Sequence, residues 1–528
     1  MGRHTGTAET DGGVKMAVYI FSLLKGYKPN GVDYAQGYRA RILRKLSCPA
    51  KYVFMDLPDR ENIDFYRKTG IHTEQMLGMH SYFTDNHSFE LSVKAEDKLE
   101  ELKERLQITK VEYGENEIEL YKDGIVTAAI LLDEEDRSFC YGVHYYSRLK
   151  LIRTEIYTGA LLYANSYITA HSDQGPYAKL ARRTFYDRSG AVCFDQIFED
   201  RKEWYIFPDG RCISKQQLII LFIQKLNLSK QDLVLVDRPS SFAYVQPLLQ
   251  YGNGTRIIPV LHSGHYYEKG EDPFSLYLNC EYYGWFRYSD KLDAMIVSTQ
   301  EQKTELIKKL QEYNCYVPEI KVIPAGGIDR LRSPETKRKP YSLLTVSRID
   351  RRKKIDWIIK SVIKAHQKNP GIFLDIYGAD AYGFLSELQA MVAAEQAQSY
   401  IRFQGWADVT EIYKNYEVYI TASLWETLGL SVMEAVGSGN AVIGLDVRYG
   451  NRLFVHPGEN GYLIDFDLAY VEGDHSRLIE EMSEKIVDIF SDKERLNRFH
   501  ETSYETGRCF FQTETEKKWR ELLEDTIQ

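Results

Sequence analysis

Two glutamates eight positions apart, Glu426 and Glu434, stand in the segment 424–439, which reads L-W-E-T-L-G-L-S-V-M-E-A-V-G-S-G and follows an apolar run. The run reads as a buried strand and the residues from 430 as a helix. Thr427, Leu428, Gly429 and Leu430 therefore fall at a helix N-terminus, where unpaired N–H groups and the positive end of the helix dipole suit a diphosphate. Gly429 lets a ligand come close to the backbone. Glu434, further inside the helix, can accept two hydrogen bonds from a ribose diol. Glu426, just before it, can hold hydroxyls of a transferred group. An ordinary solvated helix with two surface glutamates has the same spacing.

A second group is S-R-I-D-R-R-K-K, 347–354, directly after the strand-like YSLLTVS. Carboxyl ends of strands are where open α/β sheets bind ligands. Arg348 can grip phosphate oxygens in bidentate fashion and Lys353 can add a point charge. Arg351, Arg352 and Lys354 are surplus and read as a solvated patch. Positive charge at a helix start opposes the dipole, so something negative is expected nearby. A third candidate is Gly31, which ends the loop 25–31 and precedes a helix; alone it is a weak signal, and an ordinary βα loop is the better account of it. The fourth is His262-Ser-Gly-His265-Tyr-Tyr267 at a strand end. No Cys or carboxylate beside it completes a metal site. A single histidine facing a cleft and bonding a sugar hydroxyl or a reaction-centre oxygen fits better. The chain has no G-x-x-x-x-G-K-[ST], H-E-x-x-H or G-x-S-x-G, and D-x-D occurs only at 465–467.

The elements that must position these residues are those of an α/β protein. MAVYIFSLL (16–24) and KYVFMD (51–56) read as strands flanking an amphipathic helix. Between 75 and 205 the pattern changes to short alternating segments separated by turns such as Lys122-Asp123-Gly124 and Pro208-Asp209-Gly210. This is an inserted, antiparallel β-rich domain with one helix near 94–107. Strands and helices alternate again from about 214. A basic connector, DRLRSPETKRKP, precedes a second α/β series that begins at 341. The expected division is a tail or expression remnant over 1–15, an N-terminal Rossmann-like domain over 16–74 and 206–335, the β-rich insertion over 75–205, and a C-terminal Rossmann-like domain over 336–528 whose last helix is able to pack back on the N-terminal one.

Composition sets the outer bounds. The 528 residues are 44% hydrophobic and 27% charged, an ordinary globular balance with room for several cores. The formal net charge of −9 offers no basic field for nucleic acid. Seven cysteines without a C-x-x-C argue against a disulfide framework or zinc knuckle and fit a reducing cytosol. The apolar stretch at 16–24 is too short to span a bilayer, and residues 1–13 lack the apolar core of a secretion signal.

The E-x7-E pair after a strand, S-R-x4-K before it and a Gly loop at the N-terminus together resemble the retaining GT-B glycosyltransferases of family four. NGVDYAQGYRARILRKLSCPAKYVFMD, RRTFYDRSG, KLNLSKQDLVLVDR, NYEVYITASLWETLGLSVMEAVGSG and DVRYGNRLFVHPGENGYLI narrow the resemblance to the GtfA-type protein O-glycosyltransferases of the accessory Sec system. It covers nearly the whole chain from Met16. It implies a GT-B fold with two Rossmann-like domains facing a cleft, a UDP-GlcNAc or UDP-Glc donor, and Ser or Thr hydroxyls of a serine-rich-repeat adhesin as acceptor. It also implies a β-rich insertion that engages acceptor and partner, a GtfB-type subunit or a homo-oligomer as partner, and no metal or other cofactor. The location implied is the cytoplasm, with peripheral association at the inner membrane face as an option. Position by position, Arg348 and Lys353 fall on the diphosphate contacts, Glu434 on the ribose, Glu426 on the donor sugar, Gly31 in the N-terminal loop and His262 on the histidine facing the reaction centre. Where the family commonly has E-G-F-G-L, this chain has Glu426-Thr427-Leu428-Gly429-Leu430, which leaves both GlcNAc and glucose open. A non-catalytic adhesin-binding subunit and a transferase acting on a cell-wall polymer are the competing readings.

Overall fold

A computed structural model of the chain describes residues 16–24, 29–173, 175–200, 202–237, 242–266, 279, 281–380, 382–466 and 473–527. The tail 1–15, residues 25–28 of the first loop, Tyr267 and Asp467 lie outside the described residues. The chain divides into two compact units. One is Met1–Leu24, Pro49–Val234 and Ser241–Thr255; the other is Lys25–Cys48, Leu235–Ser240 and Arg256–Gln528.

In the first unit, Val18–Ser22, Ala50–Phe54 and Met76–Gly78 pair in parallel, with Val18 opposite Ala50 and Tyr52 opposite Met76. Their near-continuous burial fits strands covered on both faces. A ten-stranded antiparallel sheet follows, from Lys110–Tyr113 to Cys212–Ser214, in which every strand lies beside its neighbour in sequence. The helix Ala95–Leu106 lays Leu99 and Leu102 against Ile118, Leu120, Ile130 and Val143 of that sheet. Alternation is the cause: one face of these strands carries the apolar residues and the other carries the charged ones.

The second unit contains a six-stranded parallel sheet. Its order is Ile401–Gly405, Phe373–Tyr377, Lys339–Val346, Tyr416–Thr421, Ala441–Leu445 and Gly461–Ile464. Numbered along this series, that is 3-2-1-4-5-6, a doubly wound sheet whose order reverses between Lys339–Val346 and Tyr416–Thr421. Leu343, Val418, Ile420 and Ile443 are fully buried under helices Ile355–Lys368 and Ser476–Ser491. Each such side chain contributes roughly 1.5–3 kcal/mol of burial. The basic connector lies inside this unit and is fastened there: the Arg338 guanidinium donates to the carbonyls of Lys414, Tyr416 and Ser438 and to the Tyr504 hydroxyl. The last helix, Gln512–Ile527, reaches the first, Gly31–Lys45, where Arg39 stacks 5.3 Å from the Trp519 ring centroid. Its Asp525 pairs with Lys321 at 2.7 Å. Among the described residues no helix is long and apolar enough to cross a membrane.

Candidate active site

The reversal point of the parallel sheet is where the two richest motifs meet. After Val346 the backbone turns tightly at Ser347, and a Cβ at Gly378 would stand 1.8 Å from the Ser347 carbonyl oxygen, so only glycine fits there. Asp350 accepts the Arg352 N–H at 2.9 Å and caps a short 3-10 turn, Arg351–Lys353. That turn delivers Lys353 Nζ to 2.7 Å from Glu426 Oε1 and 3.1 Å from Ser423 Oγ. An ammonium has three protons, so one remains for a further acceptor. Arg348 sits in the same loop, 3.5 Å from Asp350 Oδ2 and 26% exposed. The surplus cations have other partners, Arg351 Glu387, Arg352 Asp350 and Lys354 the Trp357 ring at 4.8 Å. Within the chain, Asp350, Glu387 and Glu426 thus supply the negative charge that the basic helix flank requires.

The second motif follows Tyr416–Thr421. Leu424 N–H donates to the Arg352 carbonyl at 3.1 Å, which ties the two loops together. Glu426 is held by its backbone: its carbonyl accepts from Tyr449 N–H at 2.6 Å and Gly450 N–H at 2.9 Å. Gly429, at φ 79° and ψ 64°, caps the helix Leu430–Gly437 and offers no side chain, so the N-cap supplies no side-chain acceptor to the amides of the first turn. The Tyr419 hydroxyl joins Ser431 Oγ (2.8 Å) to the Val346 carbonyl (3.3 Å), which sets the start of this helix beside the end of Lys339–Val346. Leu428 is buried in the core, so only its backbone can meet a ligand. Leu430 lies over the first helix, where a Cβ at Gly31 would stand 3.9 Å from Leu430 Cδ1.

Glu434 lies 3.4 Å from the Tyr38 hydroxyl of the first helix. Burial pushes its carboxyl up to about 7, against the pull of the Tyr413 hydroxyl, Arg332 and the Tyr38 hydroxyl. Burial, with Glu434 adding to it, also pushes the Tyr38 phenol well above its ordinary range.

His262 joins the same group. Its carbonyl accepts the Thr427 hydroxyl at 2.9 Å, and its Nε2 lies 2.9 Å from Asp237 Oδ1. Asp237 is fully buried and also pairs with Arg39. Burial works to raise the Asp237 carboxyl, but Arg39 and His262 outweigh it and hold the group far below the usual carboxylate range. His265 is a core residue, stacked on Tyr449 at 8° and on Phe286 at 26°, with burial pushing it down to about 4. Among the described residues no cluster of three or more His, Cys, Asp or Glu is placed to hold a metal ion. Beside Glu426 and Thr427 lies a cavity of about 230 Å³, lined also by Gly264, Tyr266, Trp425 and Arg448.

Lys353, Glu426, Thr427 and His262 thus form one chain of contacts, and Gly31, Gly429, Leu430 and Glu434 gather at the helix Leu430–Gly437. Sequence reasoning did not find Ser423, Tyr38, Tyr413, Arg39 or Asp237. For Asp237 a signal existed: it is the carboxylate at the carboxyl end of the apolar strand Leu233–Val236, a position where such sheets bind ligands.

Residues 328–506 match the family model of group 1 glycosyl transferases, and residues 110–209 that of the GtfA extended beta-sheet domain. The UDP-N-acetylglucosamine–peptide N-acetylglucosaminyltransferase GtfA subunit of Streptococcus gordonii is 35% identical over 512 residues, 97% of this chain and 99% of the relative. The crystal structure of the pneumococcal O-GlcNAc transferase GtfA in complex with UDP and GlcNAc superposes with a TM-score of 0.87 at 32% identity, covering 97% and 99% of the two chains. That of a GtfA/B complex gives 0.82 at 33%, with the same coverage. Fold and site define a glycosyltransferase of the GT-B class, α/β with a β-rich insertion in its N-terminal half. Within that class, the chain belongs to the GtfA family.

Proposed function

We propose that this enzyme transfers GlcNAc from UDP-GlcNAc to Ser or Thr hydroxyls of a serine-rich-repeat adhesin, retaining configuration at the sugar carbon. The observation that carries the reading is the 2.7 Å contact of Lys353 with Glu426, which brings the cationic loop and the E-x7-E segment to the reversal point of one sheet, beside a helix start without a side-chain cap. In this reading Arg348, the third proton of Lys353 and the first-turn amides of the helix Leu430–Gly437 stabilise the charge that grows on departing UDP. Glu434 takes the ribose, and Glu426 takes hydroxyls of the donor sugar. These groups supply the positive field themselves, and the chemistry needs no divalent ion. Of the carboxylates at the site, Glu426 is engaged by Lys353, Asp237 by Arg39 and His262, and Glu434 is assigned to the ribose. Attack by the acceptor hydroxyl on the face that UDP leaves is therefore favoured over a covalent enzyme intermediate. The bond from acceptor oxygen to the sugar carbon forms as the bond to the phosphate oxygen breaks, and the acceptor proton passes to that phosphate oxygen.

Relatives named as UDP-N-acetylglucosamine–peptide transferases, and a relative solved with UDP and GlcNAc, support donor and acceptor class. A GtfB-type subunit is the proposed partner, with the matched β-sheet domain engaging it and the acceptor. UDP-glucose is the competing donor, because Thr427 brings a side chain to the cavity beside Glu426 where the common pattern has glycine. A donor screen decides: UDP-GlcNAc against UDP-glucose on a Ser-rich peptide, with and without the partner subunit, read by peptide mass. No transfer from either donor with the partner present would falsify the reading.

A further inference from the structure

The loop that carries His262 is fastened carbonyl by carbonyl. Gln302 Nε2 donates to the carbonyls of Leu261 (3.4 Å) and Ser263 (3.2 Å). Asn279 donates to the carbonyl of Gly264 through Nδ2 (3.0 Å) and to that of His265 through its backbone N–H (3.0 Å). The remaining carbonyl of the five, that of His262, is taken by Thr427 at 2.9 Å. Thr427 is not a neighbour in sequence, lying 165 positions away in the loop that presents Glu426. The imidazole of the same histidine is fixed from the other side. Asp237 gives one carboxylate oxygen to Arg39 and the other to His262 Nε2, with side-chain exposures of 4% for Arg39, 0% for Asp237 and 7% for His262.

We propose that Asp237 and Thr427 are positioning residues for His262, Asp237 setting the ring and Thr427 the carbonyl, so that Nδ1 is the nitrogen held out to the reacting sugar. The inference rests on the expectation from the sequence that His262 faces the reaction centre. A carboxylate is acceptor-only, so the nitrogen it faces must carry the proton. In the neutral ring Nδ1 is then left as an acceptor for a hydroxyl. Arg39 fixes Asp237 in turn, and the Trp519 ring stacked on Arg39 restricts that guanidinium. The Thr427 bond needs a hydroxyl, and glycine, the common residue there in the family pattern, cannot form it. In this chain a side chain therefore couples the donor-sugar loop to the histidine loop.

The test uses the full chain with its partner subunit, UDP-GlcNAc and a Ser-rich peptide, and reads kcat and KM separately. Asp237→Asn and Thr427→Val are each expected to lower kcat about tenfold or more with little change in KM for UDP-GlcNAc, as for a misplaced hydrogen-bonding group at the reaction centre. Thr427→Ser, which keeps the hydroxyl, is expected to regain most of the turnover lost in Thr427→Val. In a His262→Ala background neither Asp237→Asn nor Thr427→Val is expected to cost more. Asp237→Asn removes a counter-charge from the buried Arg39, so Arg39→Gln/Asp237→Asn is measured beside it, and Thr427→Val keeps the test open if both Asp237 variants fail to fold. Impaired His262→Ala with wild-type kcat in both Asp237→Asn and Thr427→Val overturns this inference alone, as do losses that add in the His262→Ala background. Wild-type kcat in His262→Ala overturns the reading of His262 and this inference with it.

Discussion

Lys353 Nζ and Glu426 Oε1 lie 2.7 Å apart although 73 positions separate them in the chain. The pair closes the point where strand order reverses, and it holds a cation and a carboxylate partly out of water at one place. Neither residue is there to hold the fold: the buried aliphatic side chains of the sheet do that. The arrangement suits a donor with charge at one end and hydroxyls at the other.

Lys353→Ala and Arg348→Ala are each expected to lower kcat by a factor on the order of 100 to 1,000, the usual cost of removing one donor to a developing anion. The far-UV circular dichroism should stay that of the parent. Initial rates of UDP release check this, and turnover within twofold of the parent in both variants removes these residues from the diphosphate.

Glu434 gives a pH signature. Its carboxyl is raised to about 7 in the folded chain by burial, so below that pH it is protonated and cannot accept both ribose hydroxyls. UDP affinity should rise as pH is raised through 7, and binding near that pH should release a proton. The folded state binds this proton more tightly than the unfolded chain does, so the group's contribution to stability falls as pH rises from the ordinary carboxyl range to 7. In Glu434→Gln the difference should vanish. Calorimetry in two buffers of unlike ionisation heat, with parent and variant compared so that the titration of UDP itself cancels, measures it. A proton release equal in both would contradict the assignment.

Two glycines of the site separate backbone strain from steric exclusion. Gly429 has φ 79°, and a Cβ there meets nothing closer than 3.5 Å, so Gly429→Ala should cost about 1–2 kcal/mol from the left-handed backbone alone. At Gly450 a Cβ would lie 2.1 Å from the Leu428 carbonyl oxygen, which must move with the Glu426 backbone. Gly450→Ala should therefore lose several times more stability and most activity. Urea unfolding midpoints rank the two, and equal midpoints would be inconsistent with this packing.

Transfer should survive chelation. With EDTA in excess the rate is expected to stay within about twofold, since in the proposed function Arg348, Lys353 and the helix amides carry the charge. A loss greater than tenfold that Mg2+ or Mn2+ restores would place a metal in the reaction.

The parts of the site legible in the sequence were those whose physics is local. Glu426 and Glu434 straddle a helix start, and that start is written in Gly429 and the apolar run before it. Alternation within 75–205 announced an antiparallel sheet, whose strands run from Lys110 to Ser214, because period-two patterning is how one face becomes dry. The Arg39–Asp237 pair spans 198 positions and no periodicity encodes it. Tyr38 is legible as a helix residue, but its approach to Glu434, 396 positions away, depends on how two helices pack. The strand order placing Lys339–Val346 beside Tyr416–Thr421 is likewise a property of the packed sheet, set by helices on both faces.

The ten-stranded sheet joins only strands adjacent along the polypeptide. Its assembly therefore closes short loops in succession and needs no distant segment to be present. Pairing of this kind lowers the entropic barrier of each step, and synthesis proceeds from the N-terminus. This module can zip up on the ribosome while the catalytic motifs at 347–354 and 424–439 are still untranslated.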